Sequence, residues 1–243
     1  MNEDTALITG AARRIGRKIA VTLADEGVNV VIHYRSSEEE AKELHDRLLE
    51  LEVEAPLLQA DLRKKSDLDR VIPEAAEKAG KIDYLVNNAA VFPSGDLEEL
   101  EFKELVSNIR INSWAPFYLA RSFLKRSDRG KIVNLLDTRV AGYDWDHAGY
   151  YFSKVLLARM TKMMALKFAP EFTVTGVAPG LITPPPGLDE EYLKERMDRV
   201  PLKKHGEEEE VARAVVYLLK SSFVTGQILY VDGGRNLLHE LEG

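Results

Sequence analysis

A tyrosine and a lysine one helical turn apart are the residues of this chain best suited to chemistry. Tyr150 and Lys154 lie four residues apart near the end of the stretch 137–154, DTRVAGYDWDHAGYYFSK. On a helix this spacing places the phenol and the ammonium on the same face. A nearby cation favours the phenolate, so we expect Lys154 to lower the pKa of Tyr150 from about 10 toward neutrality. Such a tyrosine could exchange a proton with a substrate oxygen or nitrogen near pH 7. The same pair alone is also typical of surface packing.

The composition indicates one α/β domain. The chain has 243 residues, of which 45% are hydrophobic and 30% charged, enough for a single core spanning 1–243. The net charge of −7 and the pI of about 5.4 argue against nucleic acid or an anionic membrane as a partner. The absence of cysteine excludes disulfides and thiolate chemistry, and the five histidines lack ligand spacing, so no metal is expected.

The chain shows no targeting or membrane signal. The N-terminal sequence MNEDTALITG is acidic and unlike a signal peptide. No apolar run approaches the roughly 18 residues of a membrane span. We therefore expect a cytoplasmic protein.

Short apolar runs alternate with helical patterns along the whole chain. This alternation predicts a doubly wound Rossmann-type domain, a parallel sheet of about seven strands with helices on both faces. The predicted strands are 6–9, 28–33, 54–60, 82–86, 131–136, 172–177 and 226–231. The predicted helices follow Gly16 and cover 38–51, 66–80, 97–125 (as one or two), 150–168 and 207–219. A Pro-rich stretch, 181–201, predicts a lid over the site.

Polar and small residues fall at the carboxyl ends of the predicted strands, where open α/β sheets bind ligands. These residues are Gly10, Arg35, Asp61, Asn87, Asp137 and Gly180. Their convergence on one edge of the sheet predicts a single binding site.

Two of these strand ends suit a phosphorylated dinucleotide. The turn from Gly10 to Gly16 could cradle a pyrophosphate at a helix start, although its spacing also fits an ordinary βα turn. The second strand ends in the sequence HYRSS with no acid before Glu38. A guanidinium and hydroxyls there favour NADP(H) over NAD(H), and a serine could also cap the next helix.

The whole chain resembles a short-chain dehydrogenase/reductase. The matching motifs, in the order of that family, are Thr9-Gly10…Gly16, Asp61-Leu62, Asn87-Asn88-Ala89, Asn112, Tyr150-x-x-x-Lys154, Pro179-Gly180 and Val231-Asp232-Gly233-Gly234. The resemblance implies hydride transfer from a nicotinamide cofactor, Tyr150 as proton donor, and usually a homotetramer. It also implies that Lys154 binds the nicotinamide ribose and that Asn112 supports a proton-relay water. From its sequence alone, Asn112 could equally be a polar core residue bonded to backbone.

Two departures from the family pattern resemble its pteridine reductase branch. Arg14 stands where a third glycine is usual, and Asp137 stands where a catalytic serine is usual, thirteen residues before the tyrosine. The sequence HYRSS also resembles this branch, and Phe92 falls where the branch stacks its pterin. Ala90 replaces a common serine, and Pro184 replaces a common cofactor-binding threonine.

The resemblance implies three groups of site residues. The catalytic residues are Asp137, Tyr150, Lys154 and Asn112. The substrate residues are Arg14, Phe92, Asp137 and Tyr150. The cofactor-binding residues are Gly10, Arg13, Arg14, Ile15, Gly16, His33, Tyr34, Arg35, Ser36, Asp61, Leu62, Asn88, Ala89, Ala90, Tyr150, Lys154, Pro179, Gly180 and Ile182.

The aspartate at position 137 limits the kinds of bond that the site could reduce. An ionised carboxylate cannot donate a hydrogen bond to a carbonyl, and it repels a developing alkoxide. It suits reduction of a C=N bond, with Asp137 and Tyr150 titrating as a coupled pair, although Asp137 could also simply cap a loop. We therefore expect an NADPH-dependent reductase of a pteridine or dihydrofolate-type substrate. The alternatives are a ketone or 3-oxoacyl-thioester reductase of the same family, and an NADP-binding protein without turnover, for which a broken Tyr/Lys pair would be expected.

Overall fold

Seven parallel strands form one sheet at the centre of the molecule. The computed structural model describes residues 4–185 and 187–238. The strands are β1 (Thr5–Ile8), β2 (Asn29–Tyr34), β3 (Leu57–Gln59), β4 (Tyr84–Asn87), β5 (Gly130–Leu135), β6 (Phe172–Pro179) and β7 (Ile228–Val231). Their order is β3-β2-β1-β4-β5-β6-β7, which places the switch in strand order between β1 and β4. The predicted doubly wound sheet is confirmed.

Helices cover both faces of this sheet. They are α1 (Arg14–Asp25), α2 (Glu38–Leu49), α3 (Lys65–Ala79), α4 (Phe102–Ile109), α5 (Ala115–Leu124), α6 (Ala148–Phe168), α7 (Glu191–Met197), α8 (Glu208–Lys220) and α9 (Arg235–Leu238). A π-helical turn, Arg110–Trp114, joins α4 to α5, and a 3-10 turn, Thr138–Ala141, follows β5.

The core has one hydrophobic cluster on each face of the sheet. Successive residues of β1 point to opposite faces, so Ala6 and Ile8 pack in the cluster with α1, α2 and α8. Leu7 packs in the other cluster, with α3, α5 and α6. Because both faces are covered, the central strands are apolar without alternation, as parallel sheets require. The result is a three-layer α/β/α arrangement whose loops at the carboxyl ends of the strands are free to form a site.

Several predicted elements are shorter than expected, and two of them have a clear physical cause. β3 covers only 57–59 rather than 54–60, because Pro56 has no N–H to donate to the ladder. The segment 97–125 becomes helical only at Phe102, where Glu101 and Glu104 form a capping box. Neither the 3-10 turn after β5 nor α9 was predicted.

No helix within the described residues has both the length and the apolar composition needed to cross a membrane.

Replacing Phe123 tests the packing of the core. Phe123 is fully buried and meets Phe172 edge-to-face with ring centroids 5.4 Å apart. We expect Phe123→Ala to lower the free energy of unfolding by about 3–5 kcal/mol, because the cavity cannot collapse completely. Denaturation in urea measures the loss. The matched control is Phe223→Ala, since Phe223 is 100% exposed and its removal should change stability by about 0.5 kcal/mol or less. Equal effects of the two substitutions would contradict the packing described.

Candidate active site

One cleft of about 1120 Å³ lies at the carboxyl ends of the strands. It brings together every residue that the sequence assigns to the site except Asn112 and Asn87, which is buried and donates a hydrogen bond to Asn134. The assigned residues that border it are Gly10, Arg13, Arg14, Ile15, Gly16, His33, Tyr34, Arg35, Ser36, Asp61, Leu62, Asn88, Ala89, Ala90, Phe92, Asp137, Tyr150, Lys154, Pro179, Gly180 and Ile182. The predicted convergence of strand ends thus corresponds to one continuous site.

The glycine turn between β1 and α1 is too tight for side chains at its two glycines. A Cβ at Gly16 would lie 2.2 Å from the carbonyl oxygen of Gly10, and Gly10 itself has φ +65°. The N-cap residue of α1, Arg13, makes no capping hydrogen bond with its side chain. The turn therefore leaves N–H groups at the start of α1 without a side-chain cap, as an anion site requires.

Arg14 occupies a left-handed backbone conformation within this turn. Its φ of +53° is the conformation that a glycine would adopt freely, and a non-glycine residue there costs about 1–3 kcal/mol. The guanidinium donates hydrogen bonds to the Thr183 hydroxyl (2.5 Å) and to the carbonyl oxygen of Pro184. Arg14 therefore joins the glycine turn to the segment that follows β6.

His33, in β2, forms a hydrogen bond with the glycine turn. Its Nδ1 accepts a hydrogen bond from the Gly10 N–H (3.1 Å), while its Nε2 is buried and has no partner within the described residues. The proton of the neutral ring therefore belongs on Nε2. Burial lowers the pKa of His33 to about 4.

The end of β2 exposes cationic and hydroxyl groups. Arg35 is exposed and forms no ion pair within the part of the chain that the structure describes. Arg13 pairs with Glu40. Ser37 is the N-cap residue of α2, but its side chain makes no capping hydrogen bond, so the capping alternative is not realised there. These groups suit a phosphate.

The end of β3 carries an acid that is already paired. Asp61 accepts hydrogen bonds from Arg63, and these bonds lower the pKa of Asp61 to about 2. Its backbone N–H donates to Asp67 (2.7 Å). Asp61 is therefore an anchored carboxylate at the rim of the cleft.

The centre of the site is a hydrogen bond between a phenol and a carboxylate. The Tyr150 hydroxyl donates to Asp137 Oδ2 at 2.9 Å. Arg139 donates to the same carboxylate through its backbone N–H (2.9 Å) and its guanidinium (3.0 Å). Asp137 thus caps the 3-10 turn and also accepts a hydrogen bond from Tyr150. A capping role and a contact with the phenol are therefore both present.

The expected fall of the Tyr150 pKa toward neutrality is wrong, because the net shift is upward. Burial, followed by the charge of Asp137, raises the pKa of Tyr150 well above 10, and Arg139 opposes this only in part. Lys154 Nζ lies 5.7 Å from the Tyr150 ring centroid and donates to the Leu135 carbonyl oxygen at 2.6 Å. Burial also lowers the pKa of Lys154 to about 8. Helical spacing shows which groups share a face, whereas burial decides the pKa.

Asn112 lies in the π-helical turn and does not border the cleft. Its side chain donates to the Val91 carbonyl oxygen (3.1 Å) and the Ser153 hydroxyl (3.0 Å) and accepts from the Val91 N–H (2.9 Å). Ser153 in turn donates to the Tyr150 carbonyl oxygen (2.5 Å). The side-chain amide of Asn112 therefore forms its hydrogen bonds with other groups of the protein, as expected of a polar core residue. It positions the loop after β4 against α6.

Phe92 lies beside the phenol, where the resemblance places it. Its ring meets that of Tyr150 edge-to-face with centroids 4.7 Å apart. It also stacks on His147, at 4.1 Å between centroids and 13° between planes, and Arg139 lies 5.0 Å from its centroid. The Phe92 ring thus lines the cleft beside the proton donor, with His147 stacked on it.

Several residues of the cleft were missed from the sequence. Asp144 binds Arg139 (2.5 Å) and His147 (3.1 Å), and so completes a charged network behind Asp137. The spacings Asp137-x-Arg139 and Asp144-x-x-His147 were signals for this network. The cleft is also lined by Tyr143, Trp145, Tyr192, Arg196, Arg199 and Arg235, at its outer part, and no comparable sequence pattern marks these residues.

Comparison with known proteins supplies related sequences over almost the whole chain. Residues 10–236 match a family model described as "Enoyl-(Acyl carrier protein) reductase". A 3-oxoacyl-(acyl-carrier-protein) reductase FabG of Staphylococcus epidermidis is 32% identical over 96% of this chain and 99% of its own. An uncharacterized oxidoreductase of Thermotoga maritima is also 32% identical, over 94% of this chain and 95% of its own.

Solved structures of similar fold come from a different functional group. FolM alternative dihydrofolate reductase 1 from Brucella suis, in complex with NADP, matches with a TM-score of 0.93 and 30% identity over 98% of this chain and 97% of its own. The protein of the same description from Brucella canis, complexed with NADP, matches with a TM-score of 0.89 and 31% identity over 96% and 94% of the two chains.

The buried His33 predicts a pH-dependent loss of stability. Its pKa of about 4 lies below the unfolded value of 6.5, so between these values the unfolded chain binds a proton that the folded chain does not. The free energy of unfolding should therefore fall as pH drops from 6.5 to 4, by about 3 kcal/mol from this group. Urea denaturation at a series of pH values measures this slope. His33→Gln keeps an acceptor for Gly10 and should flatten the slope; an unchanged slope would show that His33 does not carry the effect.

Proposed function

The chain belongs to the short-chain dehydrogenase/reductase family, and we propose that it is an NADPH-dependent reductase of a pteridine or dihydrofolate-type substrate. The observation that carries this proposal is the hydrogen bond from Tyr150 to Asp137 beside the ring of Phe92. The NADP complexes of the FolM proteins, which share about 30% identity with this chain, support the same assignment.

The residues present fit NADPH. The tight glycine turn opens the start of α1 to a pyrophosphate, and Arg35, Ser36 and Ser37 supply cationic and hydroxyl groups for a phosphate on the adenosine ribose. Lys154 Nζ has three N–H donors and gives one to Leu135, so it can offer others to the nicotinamide ribose. When bound, NADPH supplies the hydride that reduces the carbon of a C=N bond.

Tyr150 supplies the proton that the reduction also requires. Its raised pKa keeps the hydroxyl protonated at neutral pH. The nitrogen that gains electron density during hydride transfer is a far stronger base than phenolate, so even a weakened acid can protonate it. Asp137 destabilises the phenolate left behind, which then recovers a proton from solvent. This arrangement favours reduction over oxidation, because oxidation would need Tyr150 as a phenolate base.

Phe92 gives the site a preference for flat rings. An aromatic ligand can stack on or beside its ring at a distance that brings a ring nitrogen toward the Tyr150 hydroxyl. Arg14 would border such a ligand from the glycine turn. Pteridine and dihydrofolate rings combine this shape with a reducible C=N bond.

Reduction of a 3-oxoacyl thioester is the second candidate. The FabG relatives, 32% and 31% identical to this chain, favour it. Reduction of a ketone, however, places negative charge on an oxygen beside the Asp137 carboxylate, which costs free energy in the transition state. The charge at position 137 therefore separates the two candidates.

Assembly and location are part of the same proposal. We propose a homotetramer, in which large apolar side chains exposed on α4 and α6, such as Phe102, Met163 and Leu166, would be covered. A cytoplasmic location stays a prediction from the sequence.

Replacing Asp137 tests the proposed reaction. Asp137→Ser should lower kcat/KM for dihydrobiopterin by at least about tenfold, because the charged hydrogen bond that positions the Tyr150 hydroxyl is lost. The Kd of NADPH should change by less than about twofold, since Asp137 contacts Tyr150 and Arg139 rather than the glycine turn. NADPH oxidation and fluorescence titration measure the two quantities.

The matched control is Asp128→Ser. Asp128 is exposed and precedes β5, whereas Asp137 follows it, so the control should leave both quantities unchanged. Undiminished pterin reduction in Asp137→Ser would refute the role proposed for Asp137. Activity of the unmodified protein on acetoacetyl thioester alone would refute the proposed substrate.

Replacing Arg35 tests the cofactor preference. Arg35→Gln should raise the Kd of NADPH by about 10–100-fold, the loss expected for a charged hydrogen bond to phosphate. The Kd of NADH should hardly change, because NADH lacks that phosphate. Arg47→Gln is the control: Arg47 is exposed, lies in α2 and pairs with Glu50. Parallel weakening of both cofactors in Arg35→Gln would argue against phosphate recognition by this residue.

A further inference from the structure

The outer part of the cleft is basic although the chain is acidic overall. Arg196, Arg199 and Arg235 line it, whereas the net charge of the protein is −7. Among the described residues, the only ionic partner of Arg196 is the exposed Glu195 (3.0 Å). Arg199 and Arg235 form no ion pair with any residue in the ranges 4–185 and 187–238. This end of the cleft therefore has surplus positive charge.

The basic end of the cleft is continuous with the reacting centre. The Arg196 guanidinium lies 3.8 Å from the ring centroid of Tyr192, on the same turn of α7. Tyr192 and Arg235 line the same cleft as Arg139, which binds Asp137. A ligand that reaches Tyr150 can therefore extend to these arginines without leaving the cleft.

The partly buried guanidinium of Arg235 lines the cleft, where it can contact a bound anion. Burial and the nearby positive charge of Arg139 lower the pKa of Arg235. The carboxylates of Asp137 and Asp144 offset this effect, but they are bonded to Arg139. A half-buried guanidinium beside another cation gains most from an anionic ligand that contacts it directly.

We propose that Arg196, Arg199 and Arg235 form an anion subsite that receives a carboxylate-bearing tail of the substrate. The identity of the reacting ring rests on the proposed function, but the subsite itself follows from these three arginines. Guanidinium groups bind carboxylates through paired, charge-assisted hydrogen bonds, so the subsite selects dihydrofolate, with its glutamate tail, over a neutral pterin such as dihydrobiopterin. A purely structural role, in which Arg196 stacks on Tyr192 to hold α7, predicts no difference between these substrates.

Steady-state kinetics of a double variant tests this selection. In Arg196→Gln/Arg199→Gln, kcat/KM for dihydrofolate should fall at least tenfold, mainly through KM, while that for dihydrobiopterin should stay within twofold. The control Lys194→Gln/Arg213→Gln removes two positive charges from α7 and α8 at residues that do not line the cleft, and should change neither substrate by more than twofold. Equal losses for the two substrates, or the same selective loss in the control, would overturn the subsite.

Binding of the tail alone separates this proposal from the proposed function. Calorimetry with the NADP⁺ complex should detect p-aminobenzoylglutamate but not its neutral dimethyl ester, and Arg196→Gln/Arg199→Gln should weaken the former at least tenfold. If neither pterin is reduced but this binding depends on the arginines, the proposed function fails and the subsite stands. If pterins are reduced but the tail binds independently of the arginines, or does not bind, the subsite fails and the proposed function stands.

Discussion

The hydrogen bond between Tyr150 and Asp137 is the interaction on which the rest of the site depends. It places a buried phenol against a carboxylate at 2.9 Å, an arrangement that is tolerable only if the phenol keeps its proton. Arg139 stabilises the carboxylate of Asp137 by donating two hydrogen bonds to it, and Asp144 forms an ion pair with Arg139. The proton of the pair is thereby assigned to the tyrosine. The chemistry of the site follows from this assignment, because a protonated phenol can donate to a substrate and a carboxylate cannot.

Rigid elements hold the two partners at this distance. β5 delivers Asp137 and α6 delivers Tyr150, while the side chain of Asn112 binds the Val91 peptide group and Ser153 at the same time. The loop that carries Phe92 is therefore fixed relative to the helix that carries Tyr150. These hydrogen bonds are buried, so each would cost about 1–3 kcal/mol if one partner were left unsatisfied. A site built this way needs little reorganisation before a ligand enters.

The sequence allowed the fold and most of the cleft to be predicted, because both depend on patterns that are local in the chain. Apolar runs mark strands buried on both faces, and residues that follow parallel strands must meet at one edge of the sheet. What depends on three-dimensional environment was not predictable. The sign of the pKa shift of Tyr150 is set by burial and by Asp137, and the π-helical turn around Asn112 leaves no periodic signature. The Arg139–Asp144 pair was not predicted either, because it joins two residues of an irregular segment.

The distribution of charge along the cleft favours the proposed two-part substrate over an acyl chain. The start of β2's loop is basic through Arg35, the centre is acidic through Asp137, and the outer end is basic again. A neutral ring with hydrogen-bond donors and a basic nitrogen is compatible with the acidic centre, whereas an alkoxide is not. Arg14 adds to this constraint, because its left-handed backbone holds its guanidinium against Thr183 and narrows the site near the glycine turn. A glycine there would remove the strain but also the hydrogen bonds that join the turn to the segment after β6.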